Sequence, residues 1–198
     1  MTSRKKLTVT LTVVALVVVA AVVAVVGVLA ATQQTVTSAI HITFTAVDID
    51  GTVSAKYLIQ DKEEEGVIGA TSATAQGITF KADGTKTGSL DIGSDGELDI
   101  KGDSQALYVA YQFTRQEIDY SVAASFDNTV FKMEYFDETQ DKWVEVGQSS
   151  TTLLTNVSAG AGGSSLVTRF SVKDAKTSIK DAVQLTVSFV LAAVAGQG

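Results

Sequence analysis

From Val36 to Leu191 apolar residues recur at almost every second position, and no other pattern organises the chain over comparable length. Successive side chains of an extended strand point to opposite faces, so a period of two means strands with one face to bury. A chain of many such runs must stack them into layers. Val36, Ile40, Ile42, Phe44 and Ala46 share one face of the opening run, with Thr37, His41, Thr43 and Thr45 on the other. Val53, Ala55, Tyr57 and Ile59 make the next face, followed by Ile78, Phe80 and Ala82, then by Leu90 with Ile92 and Leu98 with Ile100. Leu107, Val109, Tyr111 and Phe113 alternate likewise, as do Ile118, Tyr120, Val122, Ala124 and Phe126, and Phe131, Met133 and Tyr135. After a short Trp143–Val146 segment come Leu166, Thr168, Phe170 and Val172, and finally Val183, Leu185, Val187, Phe189 and Leu191. These runs predict an all-β, jelly-roll-like β-sandwich of about ten strands.

The punctuation fits that class. Asp50-Gly51, Asp83-Gly84 and Asp95-Gly96 are dipeptides of the hairpin-turn type. Asp127-Asn128 and Asp137–Asp141 separate alternating runs, Lys62–Gly66 reads as a solvated loop, and Ala159–Ser165 as a flexible one. Only Lys173–Ala182 has spacing suited to a short helix.

The first 31 residues belong to targeting. Arg4, Lys5 and Lys6 precede Val13–Ala31, which contains only Val, Ala, Leu and Gly. Such a run, as a helix rising about 1.5 Å per residue, comes close to the roughly 30 Å hydrocarbon core. Its length suits a retained membrane anchor, and the small residues ending at Ala30-Ala31 suit a cleaved signal peptide. Either way the basic flank leaves the remainder outside the membrane. The expected organisation is therefore residues 1–31 as an N-terminal hydrophobic helix, signal or anchor, and 32–198 as one sandwich domain.

Beyond Ala31 the 22 acidic residues outnumber 12 basic ones, a formal charge of −10. Nucleic acid is excluded as a partner, because its phosphates require a basic face. With no cysteine there is no disulfide or thiol chemistry. Proline is also absent, which removes one of the devices that keep edge strands from pairing with other molecules.

Catalytic chemistry is poorly supplied, and no enzyme is expected. The single histidine, His41, has no nucleophile or carboxylate motif beside it, and no serine-hydrolase, zinc-peptidase or phosphate-loop signature occurs. No cofactor is expected beyond calcium at one acidic stretch, Asp91–Asp103. Its candidate ligands are Asp91, Asp95, Asp99 and Asp103 around Gly96. Gly93 and Gly102 stand where an EF-hand loop carries ligands, and the flanks read as strands rather than helices. The plain alternative is a turn with solvent-facing acids. Trp143 is the aromatic best placed for a ligand, and Asn156-Val157-Ser158 fits the N-glycosylation acceptor pattern.

What remains is pairing. Thr32–Val47 has no charge, no proline and no glycine. Such a strand either opens its own sheet or enters a neighbour's by β-strand addition, with Val36, Ile40, Ile42 and Phe44 as its anchors. One-directional donation gives head-to-tail contacts, which propagate into filaments.

Three stretches carry a family resemblance. Thr87–Gly93, Tyr111–Thr114 followed by Ile118–Phe126, and Phe170–Asp174 leading to Gln184–Phe189 resemble TasA/camelysin-type proteins, the jelly-roll subunits of bacterial biofilm-matrix fibres. Archaeal donor-strand pilus subunits are related to that scheme. The resemblance spans Val36 to Leu191 and implies a secreted or surface structural protein. Its partner would be itself, as a head-to-tail homopolymer in which Thr32–Val47 completes the next subunit's sheet. This chain's signal segment is more uniformly valine than that family's, and retaining it would tether the donor strand at the membrane. A membrane-anchored β-sandwich binding a ligand such as carbohydrate or calcium is the alternative.

Overall fold

The structure, a computed structural model, describes residues 35–62, 73–92, 99–101, 104–115, 119–157, 163–173 and 183–194. Within them the chain forms twelve strands and no helix. The N-terminal segment 1–31 and the helical candidate at 174–182 lie outside the described residues. No helix among the described residues is long and apolar enough to cross a membrane.

One sheet holds β1 (Thr35–Val47) in its interior, between β12 (Val183–Ala193) and β4 (Thr85–Ile92). β7 (Tyr120–Phe126) and then β10 (Thr151–Val157) extend it beyond β12, and β5 (Asp99–Lys101) pairs with β1 past the end of β4. The other sheet runs in the order β3 (Ala73–Phe80), β2 (Gly51–Asp61), β6 (Gln105–Arg115), β11 (Ser164–Val172), β8 (Phe131–Asp137) and β9 (Lys142–Val146). Almost every pairing is antiparallel; β1 with β12, the first strand with the last, is parallel.

The apolar faces of both sheets meet in one core. Ile40, Ile42 and Phe44 of β1, Leu185, Val187 and Phe189 of β12, and Val109, Tyr111 and Phe113 of β6 are all at most 1% exposed. Phe44 stacks on Phe189 at 5.0 Å, and Tyr111 from the opposite sheet meets both rings, at 6.3 and 5.1 Å. Burying side chains of this size stabilises by about 1.5–3 kcal/mol each. The alternation thus drives both strand formation and the closing of one sheet on the other.

The aspartyl-glycyl pairs act differently from the hairpins they predict. Asp50-Gly51 joins β1 to β2 and Asp83-Gly84 joins β3 to β4, and each connection passes from one sheet to the other. Asp95-Gly96 lies outside the described residues, but its flanking strands are not a hairpin either. β4 and β5 pair with β1 in succession, at Val47–Ile40 and Thr37–Thr35. β4 and β5 thus follow one another along the same side of β1. The Asp137–Asp141 turn does make a hairpin, between β8 and β9. There the Asp137 carboxylate accepts the backbone N–H groups of Thr139 and Gln140, and Asp141 takes the left-handed conformation at φ 50°.

β10 is a strand that alternation misses. Its Leu153-Leu154 doublet breaks the period of two. The structure shows why: the β10–β7 ladder shifts register between Thr152 and Leu154 and again before Val157. A bulge places consecutive apolar residues against the core without reversing the strand.

Candidate functional site

β1 is held by a ladder on each side. Parallel to it, β12 matches Ser38–Val47 with Val183–Ala192 in unbroken register. On the other side β4 matches Ile40–Val47 with Ile92–Thr85. A one-residue slip would turn the buried Ile40, Ile42, Phe44 and Ala46 out to solvent, so the core fixes the register.

The outward face of this seat is nearly neutral. Register places Ser125, Ser188, Thr43 and Ser89 in one row across four strands, and Ala123, Val190, Thr45 and Thr87 in the next. Charge enters at one end, where His41 Nδ1 lies 2.6 Å from Asp91 Oδ1 across the β1–β4 ladder. This is a cross-strand pair, with both side chains partly in water.

At its far end β1 is held by a corner of three residues. Asp48 sits at φ 50°, a conformation that Asp tolerates because its short carboxylate bonds locally. Its N–H donates to the Gly84 carbonyl at 3.2 Å, and its Oδ1 accepts the Gly84 N–H at 2.8 Å. Asp50 Oδ1 accepts the Ala82 N–H at 3.1 Å, and Ile49 between them is buried. Gly51 follows under steric compulsion, since a Cβ there would lie 2.3 Å from the Thr114 carbonyl oxygen. The corner is thus clamped to the β3–β4 connection, which the dipeptide signals alone do not reveal.

Ile40, Ile42 and Phe44 lie in the shared core, and Val36 stands opposite Ile100 in the β1–β5 register. The acidic stretch is less convergent. Asp91 is exposed and engaged with His41, and Asp99 stands opposite Thr37, four β1 positions from His41, a separation of roughly 13 Å at about 3.3 Å per residue. Asp95 and Asp103 lie outside the described residues. Among the described residues no three His, Cys, Asp or Glu side chains cluster as a metal centre.

Trp143 is packed into the outer face of the second sheet. The Arg169 guanidinium lies 4.2 Å from its ring centre, and Tyr108 and Phe136 meet it edge-on at 5.8 and 5.4 Å. Arg169 also donates to Glu134 at 2.9 Å, and Lys132 reaches the same carboxylate at 3.1 Å. Burial alone would raise the Glu134 carboxyl. The hydrogen bonds and charges of Arg169 and Lys132 outweigh that and hold it below the ordinary carboxylate range. Burial pushes the Tyr111 phenol far above its ordinary range, so it stays neutral in the core.

No protein-family model and no curated protein matches the chain. Among solved structures, a major pilin of Streptococcus pyogenes aligns over 82% of this chain and 99% of its own, at 9% identity and a TM-score of 0.18.

Proposed function

We propose that the chain is a non-enzymatic structural subunit of an extracellular or cell-surface filament, and that the seat of β1 is filled in the polymer by the first strand of the neighbouring copy. One observation carries this reading. An uncharged first strand occupies an interior slot between β4 and the last strand, and only three residues join it to β2. Every contact that β1 makes in its own domain is available, unchanged, from a second copy. Exchange therefore costs little in contact energy, and concentration decides between the closed and the linked form. Main-chain ladders on both sides supply affinity, and the Ile40, Ile42 and Phe44 positions supply register. The TasA/camelysin resemblance, with its fibre-forming jelly rolls, supports the same reading.

A cysteine pair tests it directly, because the chain has no cysteine of its own. Thr43 and Ser89 are antiparallel partners, at a Cα separation of about 4.5–5.5 Å that a disulfide can close. Filaments of the Thr43→Cys/Ser89→Cys chain, oxidised and run under denaturing, non-reducing conditions, should give a covalent ladder. Cross-linked monomer alone, together with an absence of filaments by negative stain, would overturn the proposal.

A further inference from the structure

The two ends of the sandwich are closed unequally. At one end β3 folds over β4: a Cβ on Gly88 would meet Ile78 and Phe80 side chains within 4 Å. At the other end β10 is the outermost of the described strands in its sheet, and a cleft of about 310 Å³ separates it from β8 and β11. Tyr135, Thr139, Leu154, Asn156 and Val167 are among the residues lining that cleft.

An outermost strand presents unpaired backbone groups to other chains, and proteins guard it with charge, proline or irregularity. β10, with the sequence TTLLTNV, has no charge and no proline. Irregularity is its one intrinsic guard. Yet Asn156 of this strand begins the sequence's one match to the N-glycosylation pattern, Asn156-Val157-Ser158. Asn156 is exposed, beside the open cleft.

We propose that Asn156 is an N-glycosylation site, and that its glycan stands over the β10 edge and blocks strand pairing there. The donor class is an oligosaccharide linked through phosphate to a polyprenyl lipid. The Asn156 amide nitrogen forms a bond to the anomeric carbon while that carbon's bond to the phosphate oxygen breaks. The lipid phosphate departs with the electron pair, and the amide gives up one proton. Its remaining N–H can still donate to Asp119 Oδ2, which Asn156 Nδ2 reaches at 3.3 Å, while Arg115 pairs with the other oxygen of that carboxylate, Oδ1. A sugar projecting from this position adds bulk and hydration where the strand supplies neither.

The test uses the protein from its own host. The proteolytic peptide containing Asn156 should carry the added mass of an oligosaccharide, and the Asn156→Gln chain from the same host should lack it. An unmodified Asn156 peptide in the native protein overturns the site. If the edge role holds, Asn156→Gln should raise the sedimenting, disordered fraction several-fold, and adding Thr155→Lys should reverse that by introducing a charge on the edge strand. If Asn156→Gln behaves like the parent chain, the edge role falls. None of these readings depends on whether β1 is exchanged.

Discussion

β1 and β10 are similar segments with opposite fates. Both are rich in Thr and aliphatic residues and carry no charge. β1 lies inside its sheet with unbroken ladders to β12 and β4, whereas β10 lies at the border and its ladder to β7 shifts twice. The difference is in arrangement. Ile40, Ile42, Phe44 and Ala46 alternate and so present one continuous face to the core. In β10 the paired leucines supply two apolar residues on consecutive positions, which a regular strand would direct to opposite faces. In this pair the continuous apolar face goes with the interior place, and the doublet with the rim.

Mutations can test that contrast. Phe44→Ala should be the most damaging change, costing about 3–5 kcal/mol because the Phe189 and Tyr111 rings lose their partner. Leu153→Ala, at 8% exposure on the rim strand, should fall near the low end of the range for such truncations, about 2 kcal/mol. Urea midpoints of the two variants give the comparison. Equal losses would show that the rim packs as tightly as the interior. Gly51→Ala comes next, since its methyl would press on the Thr114 carbonyl at the corner that ends β1. A loss of about 1–3 kcal/mol is expected, again from the urea midpoint.

Away from both strands, Glu134→Gln should alter the pH profile more than the plateau stability. The folded Glu134 carboxyl lies below its ordinary range, so its stabilising contribution is present above the unfolded value. That contribution is lost as pH falls through the folded value, and the Gln variant should show a flatter acid limb in thermal melts. The smallest effect belongs to His41→Gln or Asp91→Asn. This pair is half in water, where such pairs contribute about 0–1 kcal/mol. Amide exchange along Ile40–Ala46 should stay almost as slow as in the parent chain.

The all-β class, two-sheet burial and most strand positions were legible because alternation reports burial directly. Ile40, Ile42, Phe44, Leu185, Val187 and Phe189 all point inward as their spacing requires. β10 was illegible because its bulges break the signal on which the reading depends. The roles of Asp50-Gly51 and Asp83-Gly84 were half legible. An aspartyl-glycyl pair announces a change of direction, but whether the chain returns in the same sheet depends on which face the next run must bury. Ile49, buried between Asp48 and Asp50, takes the chain across the core instead of back beside β1. Likewise, nothing local to Thr35–Val47 says that β12, more than 140 positions away, lies along it. Long-range pairing is decided by the whole set of faces competing for one interior.

The parallel alliance of first and last strands also sets the molecule's reach. Ser38 lies beside Val183 and Val47 beside Ala192, so the two strands enter at one pole and leave at the other. That run covers about 30 Å at about 3.3 Å per residue. The domain is therefore a strut: held where β1 begins, it presents the end of β12 a full sandwich length away. By the same register Ala193 lies thirteen positions along from Thr35, roughly 43 Å at about 3.3 Å per residue, so joining them would take a linker of at least about twelve residues, and a permuted chain with a shorter bridge should fail to fold.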